Sequence, residues 1–262
     1  MNAMTTVMLQ CTASPLSRAA QPPRRFARVV VQWRMASSIA VRAVLFDIDG
    51  TLIDSNYLHV DAWTRAFDEV GVAVDAWRVH RSIALDADKL LEALLGDRAD
   101  ELGDRAKERH SAHYEALHPR LRRFDGAREL IERLSESGVR VVLATSAPPE
   151  EFEVLRTCLD VDDFLHASTT ADDVETAKPD PDIVGVALER AGVSAAEAVM
   201  IGDTRWDAEA AVRAGVRSLG VLSGGIGAGE LRNAGAAEVF DDVAAILAAV
   251  TEDGPGRLTE SP

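Results

Sequence analysis

The sequence predicts an α/β protein, a doubly wound parallel sheet with an inserted helical cap. Three observations point there. Short, β-branched apolar runs alternate with segments of helical periodicity, the pattern of successive parallel βαβ units. Acidic, hydroxyl and lysine side chains recur just after those runs, where parallel strands gather ligand-binding groups at their carboxyl ends. A helical block at residues 56–124 interrupts the alternation after the first strand.

The first strand is Val41-Arg42-Ala43-Val44-Leu45-Phe46, a mostly apolar run that delivers Asp47 at its end. In the block that follows, His59, Trp63, Ala66, Phe67 and Val70 mark one helical face, and Leu90, Leu91, Leu94 and Leu95 mark another. Residues 104–118 are polar and charged and also read as helix. Leu130, Ile131 and Leu134 give the helix before the second strand, Val139–Ala144. Ile183, Ala187, Leu188 and Ala191 give the helix before the third, Ala198–Ile201, and Val216–Leu222 is the fourth. Gly138 and Gly192 stand where helix C-caps are expected. The expected organisation is a catalytic core at 41–55 and 125–250, a cap at 56–124, and a disordered tail at 251–262 around Gly254-Pro255-Gly256.

At 262 residues and 47% hydrophobic content, the chain has enough apolar mass for a sizeable core. The net charge of −15 opposes nucleic-acid binding but not a small anion, because one metal ion and one lysine reverse the potential locally. Cys11 and Cys158 are too few for a disulfide framework or a cysteine metal site. No run reaches the roughly 18 apolar residues of a membrane span. The expectation is a cytoplasmic protein, monomer or weak homo-oligomer. Residues 1–40 are excluded from the fold. They belong to a leader that holds Arg18, Arg24, Arg25, Arg28, Arg34 and Arg42 in its first 46 residues and no acid. That composition is similar to a transit peptide, but Pro22-Pro23 interrupts any amphipathic helix, and the simpler reading is a disordered tail or sequence upstream of a true start at Met35. Without the six arginines, 22 basic residues face 43 acidic ones, a net −21.

Four clusters carry chemistry. Asp47 and Asp49 follow the first strand, and Thr145-Ser146 follow the second. Lys178 lies in the loop Ala177-Lys178-Pro179-Asp180-Pro181, and Gly202-Asp203 end a later strand with Asp207 four residues on. Carboxylates at i and i+2 on extended backbone share a side. With Asp203 they offer the hard oxygen ligands that Mg²⁺ prefers. A carboxylate beside a metal and a lysine stays ionised and is able to attack phosphorus. A second carboxyl then protonates the leaving oxygen and later deprotonates water. Thr145 and the backbone N–H groups near Ser146 suit phosphate oxygens, and Lys178 offsets the gathered charge. Each cluster alone reads as an acidic turn, a helix cap or a surface lysine. All four, in order at the strand ends of one sheet, read as a site.

On these residues the chain resembles the haloacid dehalogenase-like superfamily. Asp47-Ile48-Asp49-Gly50-Thr51-Leu52 is similar to its first motif, Thr145 to its second, Lys178 to its third and Gly202-Asp203-Thr204-Arg205-Trp206-Asp207 to its fourth. The likeness covers roughly residues 41–250 and implies a Rossmann-like core. It implies Asp47 as nucleophile and Asp49 as acid/base. The metal would be held by Asp47, by the backbone carbonyl of Asp49 and by Asp203, with Asp207 supporting the metal or Lys178. The helical cap is similar to that of phosphoglycolate phosphatase-like and β-phosphoglucomutase-like members. An aspartate at position 49 favours phosphate esters, since the dehalogenases, phosphonate hydrolases and ion pumps of the superfamily lack it.

The expected function is Mg²⁺-dependent hydrolysis of a small phosphorylated metabolite through an aspartyl-phosphate. The alternatives are a sugar-phosphate mutase, a receiver-like phospho-signalling module and a non-catalytic binding protein. His59-x-x-x-Trp63 resembles a β-phosphoglucomutase pattern in which the histidine approaches the acid/base. The plainer reading makes Trp63 cap core and His59 a hinge contact. Arg78, His80, Arg81 and Lys89 form the most basic part of the cap and would meet a substrate's anionic end on closure. Ala84-Leu85-Asp86-Ala87 departs from the glycine-rich stretch common in similar phosphatases. Gly224–Gly229 fits no nucleotide-loop register and reads as a flexible loop at the site rim. His110, His113 and His118 read as a solvated helix face.

Overall fold

The computed structural model describes residues 41–174, 176 and 178–260. The leader at 1–40, Cys11 included, lies outside them. In chain order the elements are β1 (Ala43–Phe46), α1 (Asn56–Glu69), α2 (Ala76–Ser82), α3 (Ala87–Leu95), α4 (Ala99–Leu117), α5 (Ala127–Glu136), β2 (Arg140–Ala144), α6 (Pro149–Leu159), β3 (Ala167–Thr169), α7 (Asp182–Ala191), β4 (Ala198–Gly202), α8 (Arg205–Arg213), β5 (Arg217–Val221), α9 (Ala228–Asn233), β6 (Glu238–Phe240) and α10 (Val243–Asp253). The strands form one parallel sheet in the order β3-β2-β1-β4-β5-β6.

β1 lies inside the sheet because all four of its residues are apolar and fully buried. Its side chains alternate between two cores. Val44 and Phe46 pack with α5, α6 and α10, whereas Ala43 and Leu45 pack with α7 and α8. Helices therefore cover both faces, as doubly wound sheets require. Burying one such large apolar side chain contributes about 1.5–3 kcal/mol. The chain reverses winding direction beside β1: β2 and β3 lie on one side, β4, β5 and β6 on the other. The crevice at the carboxyl ends of β1, β2 and β4 is that topological switch point.

Helices α1–α4 lie between β1 and β2. They bury a core of their own, in which Trp63 and Phe67 of α1 and Val70 just after it meet Leu90, Leu91 and Leu94 of α3 and Leu102 of α4.

Two features differ from the sequence reading. β3 and β6 were not expected; each has three residues and incomplete burial, too little pattern to register as a strand. Nor is the segment after residue 250 a disordered tail up to Glu260. α10 runs to Asp253 and a 3₁₀ turn follows at Pro255–Thr259. Leu258 is fully buried in the main core, Arg217 donates to the Leu258 carbonyl at 2.9 Å, and Arg257 pairs with Glu238.

Candidate active site

β1 ends at Phe46, and Asp47 still takes part in the sheet, its N–H donating to the Ile201 carbonyl at 3.0 Å. The chain then turns sharply. The Ile48 carbonyl accepts from the N–H groups of Thr51, Leu52 and Ile53, and Gly50 takes the left-handed conformation at φ +74°. A side chain at Gly50 would strike Asn56 and Asp203, so glycine is needed for space as well as for backbone.

The turn places two carboxylates in different surroundings. Asp47 Oδ1 accepts from Lys178 Nζ at 2.5 Å. Lys178 is 1% exposed and also lies 2.8 Å from Asp207 Oδ1. Asp207 is fixed by a capping box at the start of α8, where its Oδ2 accepts from the Thr204 N–H and hydroxyl at 3.0 and 2.5 Å. Gly202 permits this approach, since a Cβ there would meet the Asp207 side chain. Asp203 is fully buried, accepting from Thr51 Oγ1 at 3.1 Å and Asn56 Nδ2 at 2.8 Å.

Asp49 turns the other way. Its Oδ1 accepts from Ser55 Oγ at 2.5 Å and lies 3.6 Å from His59 Nε2. That same nitrogen is 3.3 Å from Glu151 Oε1. The other imidazole nitrogen of His59 lies 3.2 Å from His110 Nε2. Tyr114 stacks on His59 with ring centres 3.8 Å apart, and Trp63 stacks on His110 at 4.1 Å.

Electrostatics follow from this packing. Burial pushes Asp47 well above the usual carboxylate range, against the pull of Lys178 and with help from Asp207. Asp203 is raised by burial and by the charges of Asp207 and Asp47. Burial would lower Lys178, but Asp207 and Asp47 outweigh it and hold the ammonium above its ordinary value. Burial likewise opposes charge on His59, yet Glu151 and Asp49 raise it to about 10. Asp49 resists burial and is lowered by its hydrogen bond to His59. His110, buried beside that cation, falls to about 2 and is neutral.

Asp47, Asp203 and Asp207 bring three buried carboxylates together around one lysine, with oxygen atoms within 4.8 Å of one another. The excess negative charge and the all-oxygen donor set fit a divalent metal ion. The Asp49 side chain is not in that group; it sits with His59 and Glu151, where the protonated imidazole offsets one of the two carboxylate charges.

Asp47, Asp49, His59, Thr145, Ser146 and Lys178 line one cavity of about 390 Å³. Thr145 Oγ1 accepts from the Ala147 N–H at 3.0 Å, while Ser146 Oγ is buried without a hydrogen-bond partner among the described residues. Arg81 is not among the lining residues. It forms a two-pronged pair with Glu230 on α9, both contacts 2.7 Å. His110 is not on a solvated face either; it lines the cavity with Trp63. The glycine-rich stretch does meet the site: a Cβ on Gly224 would fall 1.6 Å from Asp203 Oδ2. Ser55, Asn56, His110 and Glu151 were missed by sequence reasoning. Ser55 and Asn56 stand at the start of α1, where nothing local reports that their side chains reach Asp49 and Asp203.

A buried lysine–carboxylate centre at the switch point of a doubly wound sheet defines a phosphoryl-transfer type of site. Residues 41–215 match the model of the haloacid dehalogenase-like hydrolase family. The chain is 34% identical over 188 residues to a Streptomyces hygroscopicus subsp. limoneus protein named validoxylamine A 7'-phosphate phosphatase, covering 70% of this chain and 86% of the relative. It is 32% identical to a phosphoglycolate phosphatase of Rhodospirillum rubrum, covering 84% and 96%. A solved hydrolase from Pseudomonas syringae superposes with TM-score 0.75 at 35% identity, covering 80% of this chain and 98% of that one. The chain belongs to the haloacid dehalogenase-like hydrolases, and within them it is a phosphoric monoester hydrolase. A receiver-like signalling module is thereby set aside. Among the described residues, no helix is long and apolar enough to cross a membrane.

Proposed function

We propose that the chain is a Mg²⁺-dependent phosphatase that hydrolyses a small phosphorylated metabolite through an aspartyl-phosphate on Asp47. The observation that carries the reading is the Asp47 carboxylate, held by Lys178 in a cavity that Asp49 also lines. Asp47 attacks phosphorus, and the phosphoryl oxygens rest on Thr145, the unpartnered Ser146 hydroxyl and Lys178. Asp49 protonates the leaving oxygen and then takes a proton from the water that cleaves the acyl-phosphate. His59, charged up to about pH 10 and 3.6 Å from Asp49, holds that carboxylate in place as a positioning cation. Asp47, Asp203 and Asp207 would hold the metal, with the Asp49 carbonyl as a further donor. When bound, Mg²⁺ neutralises carboxylate and phosphate charge. Helices α1–α4 act as the cap that excludes water during turnover.

The test is phosphate release from a metabolite panel with Mg²⁺, comparing wild type with Asp47→Asn. Loss of at least ~10³-fold in the folded variant is expected for removal of a nucleophile. A folded Asp47→Asn enzyme with wild-type turnover would overturn the assignment.

A further inference from the structure

Apart from the residues assigned to phosphate and metal, the cavity lining is mostly apolar, with a few polar side chains that include Lys107, His110 and Ser111. Trp63, Ile83, Leu85 and Leu90 supply apolar surface, and Asp86 and Glu151 supply carboxylates. Among the described residues, no arginine lines the cavity. Its remaining cations are held by acids. His59 lies between Glu151 and Asp49, and Lys107 bridges Asp88 and Asp104 at 3.0 Å each. The basic residues of α2 are directed elsewhere: Arg81 grips Glu230, Arg78 donates to the Ala93 carbonyl, and a His80 nitrogen lies 2.9 Å from the Gly224 carbonyl. Arg81 and His80 thus join α2 to the core instead of facing the substrate. Asp86 itself pairs with Lys89 at 3.4 Å, so a second anionic group on the substrate would stand beside Asp86 and Glu151 and would have to draw a cation away from an acid that already holds it.

We infer that the substrate's leaving group carries no second anion: the cavity takes the monophosphate ester of an uncharged, hydroxylated alcohol of sugar size. The inference rests on the phosphatase reading. Its volume of about 390 Å³ lies near the lower end of the range of ligand pockets, which sets the size. Asp86 and Glu151 accept hydrogen bonds from hydroxyls and repel carboxylates or phosphates. A carboxylate-bearing substrate such as phosphoglycolate is disfavoured on these grounds, although relatives carry that name.

The test uses the full chain with Mg²⁺, p-nitrophenyl phosphate as a generic ester, and pairs matched in size: glucose 6-phosphate against 6-phosphogluconate, and glycerol 3-phosphate against 3-phosphoglycerate. The acid member of each pair is expected to show kcat/KM lower by at least about tenfold. Asp86→Asn should narrow that ratio severalfold, because Asn preserves the N-cap that Asp86 gives the Lys89 N–H at 2.7 Å while removing the charge. Wild-type hydrolysis of the acid members equal to or faster than their partners overturns the inference alone. A ratio unchanged in Asp86→Asn overturns its electrostatic origin. No release from any ester, p-nitrophenyl phosphate included, overturns the phosphatase reading and this inference with it.

Discussion

The ammonium of Lys178 lies 2.8 Å from Asp207 Oδ1, and Asp207 is itself pinned by the Thr204 cap of α8. The lysine that meets the nucleophile is therefore positioned by a helix start some thirty residues away in sequence. Removing it leaves Asp47, Asp203 and Asp207 facing one another without a resident cation. Lys178→Met should lower phosphate release by at least ~100-fold, as expected for loss of a preorganised charge. It should also cost about 3–5 kcal/mol of stability at neutral pH, the penalty for orphaning a buried charge. Urea unfolding would check this, and added Mg²⁺ should recover part of the loss.

The same arrangement shows what the sequence could carry. The four strands nearest the site were legible because their residues are apolar enough to be buried on both faces. Asp47, Thr145 and Asp203 were legible because strand ends fix their location, and Lys178 because it stands in the loop before α7. Glu151 was not, because on the exposed-looking run Pro148-Pro149-Glu150-Glu151 nothing separates an acid aimed at His59 from one aimed at water. His110 was missed for the same reason, since its burial depends on Trp63 of another helix. Arg81 was assigned to substrate from its charge, but Glu230 lies 149 positions away and no local pattern reports it. The tail was misread because Gly254-Pro255-Gly256 signals a break and hides Leu258 beyond it.

Glu151 gives a pH-dependent prediction. The folded pKa of His59, about 10, lies above its ordinary 6.5. A raised cation contributes stability that is complete below pH 6.5 and is lost as pH rises through 10. Glu151→Gln removes the largest source of that rise and should destabilise the protein by about 1.5–3 kcal/mol near pH 6, the scale of a hydrogen bond to a charged group. The gap between variant and wild type should shrink toward pH 10. Denaturant midpoints at pH 6, 8 and 10 measure it, and a gap constant across that range would contradict the His59–Glu151 coupling.

Metal binding should register in stability without any substrate. Burial and its neighbours raise Asp203, so in the metal-free protein its ionised form is disfavoured by folding. That cost is present above the folded pKa and vanishes as pH falls and the acid protonates. Asp203→Asn should therefore leave the chelator-treated protein as stable as wild type at pH 7, or more so. Mg²⁺ should stabilise wild type by about 2.7 kcal/mol at a hundredfold excess over Kd, and the variant much less. Melting temperatures with chelator and with Mg²⁺ provide the comparison. An equal Mg²⁺-induced shift in both proteins would remove Asp203 from the metal site.

Gly224 tests the packing that holds Asp203. A Cβ at this position would lie 1.6 Å from Asp203 Oδ2, far inside contact distance, and 2.7 Å from its Cβ. One of the two must move. The Thr51 and Asn56 hydrogen bonds define the present Asp203 position, so displacement breaks at least one of them. Gly224→Ala should cost about 1–3 kcal/mol from strain and a lost buried hydrogen bond. If Asp203 holds metal, the variant's requirement for Mg²⁺ should also rise, by at least ~10-fold for a misplaced ligand. The position carries no left-handed φ, so any effect belongs to the missing space and not to backbone strain. Gly227→Ala, where nothing lies within 4 Å of the added carbon, is the matched control and should leave the Mg²⁺ titration unchanged. If both variants titrate like wild type, the close approach of the glycine-rich loop to Asp203 has no bearing on the metal.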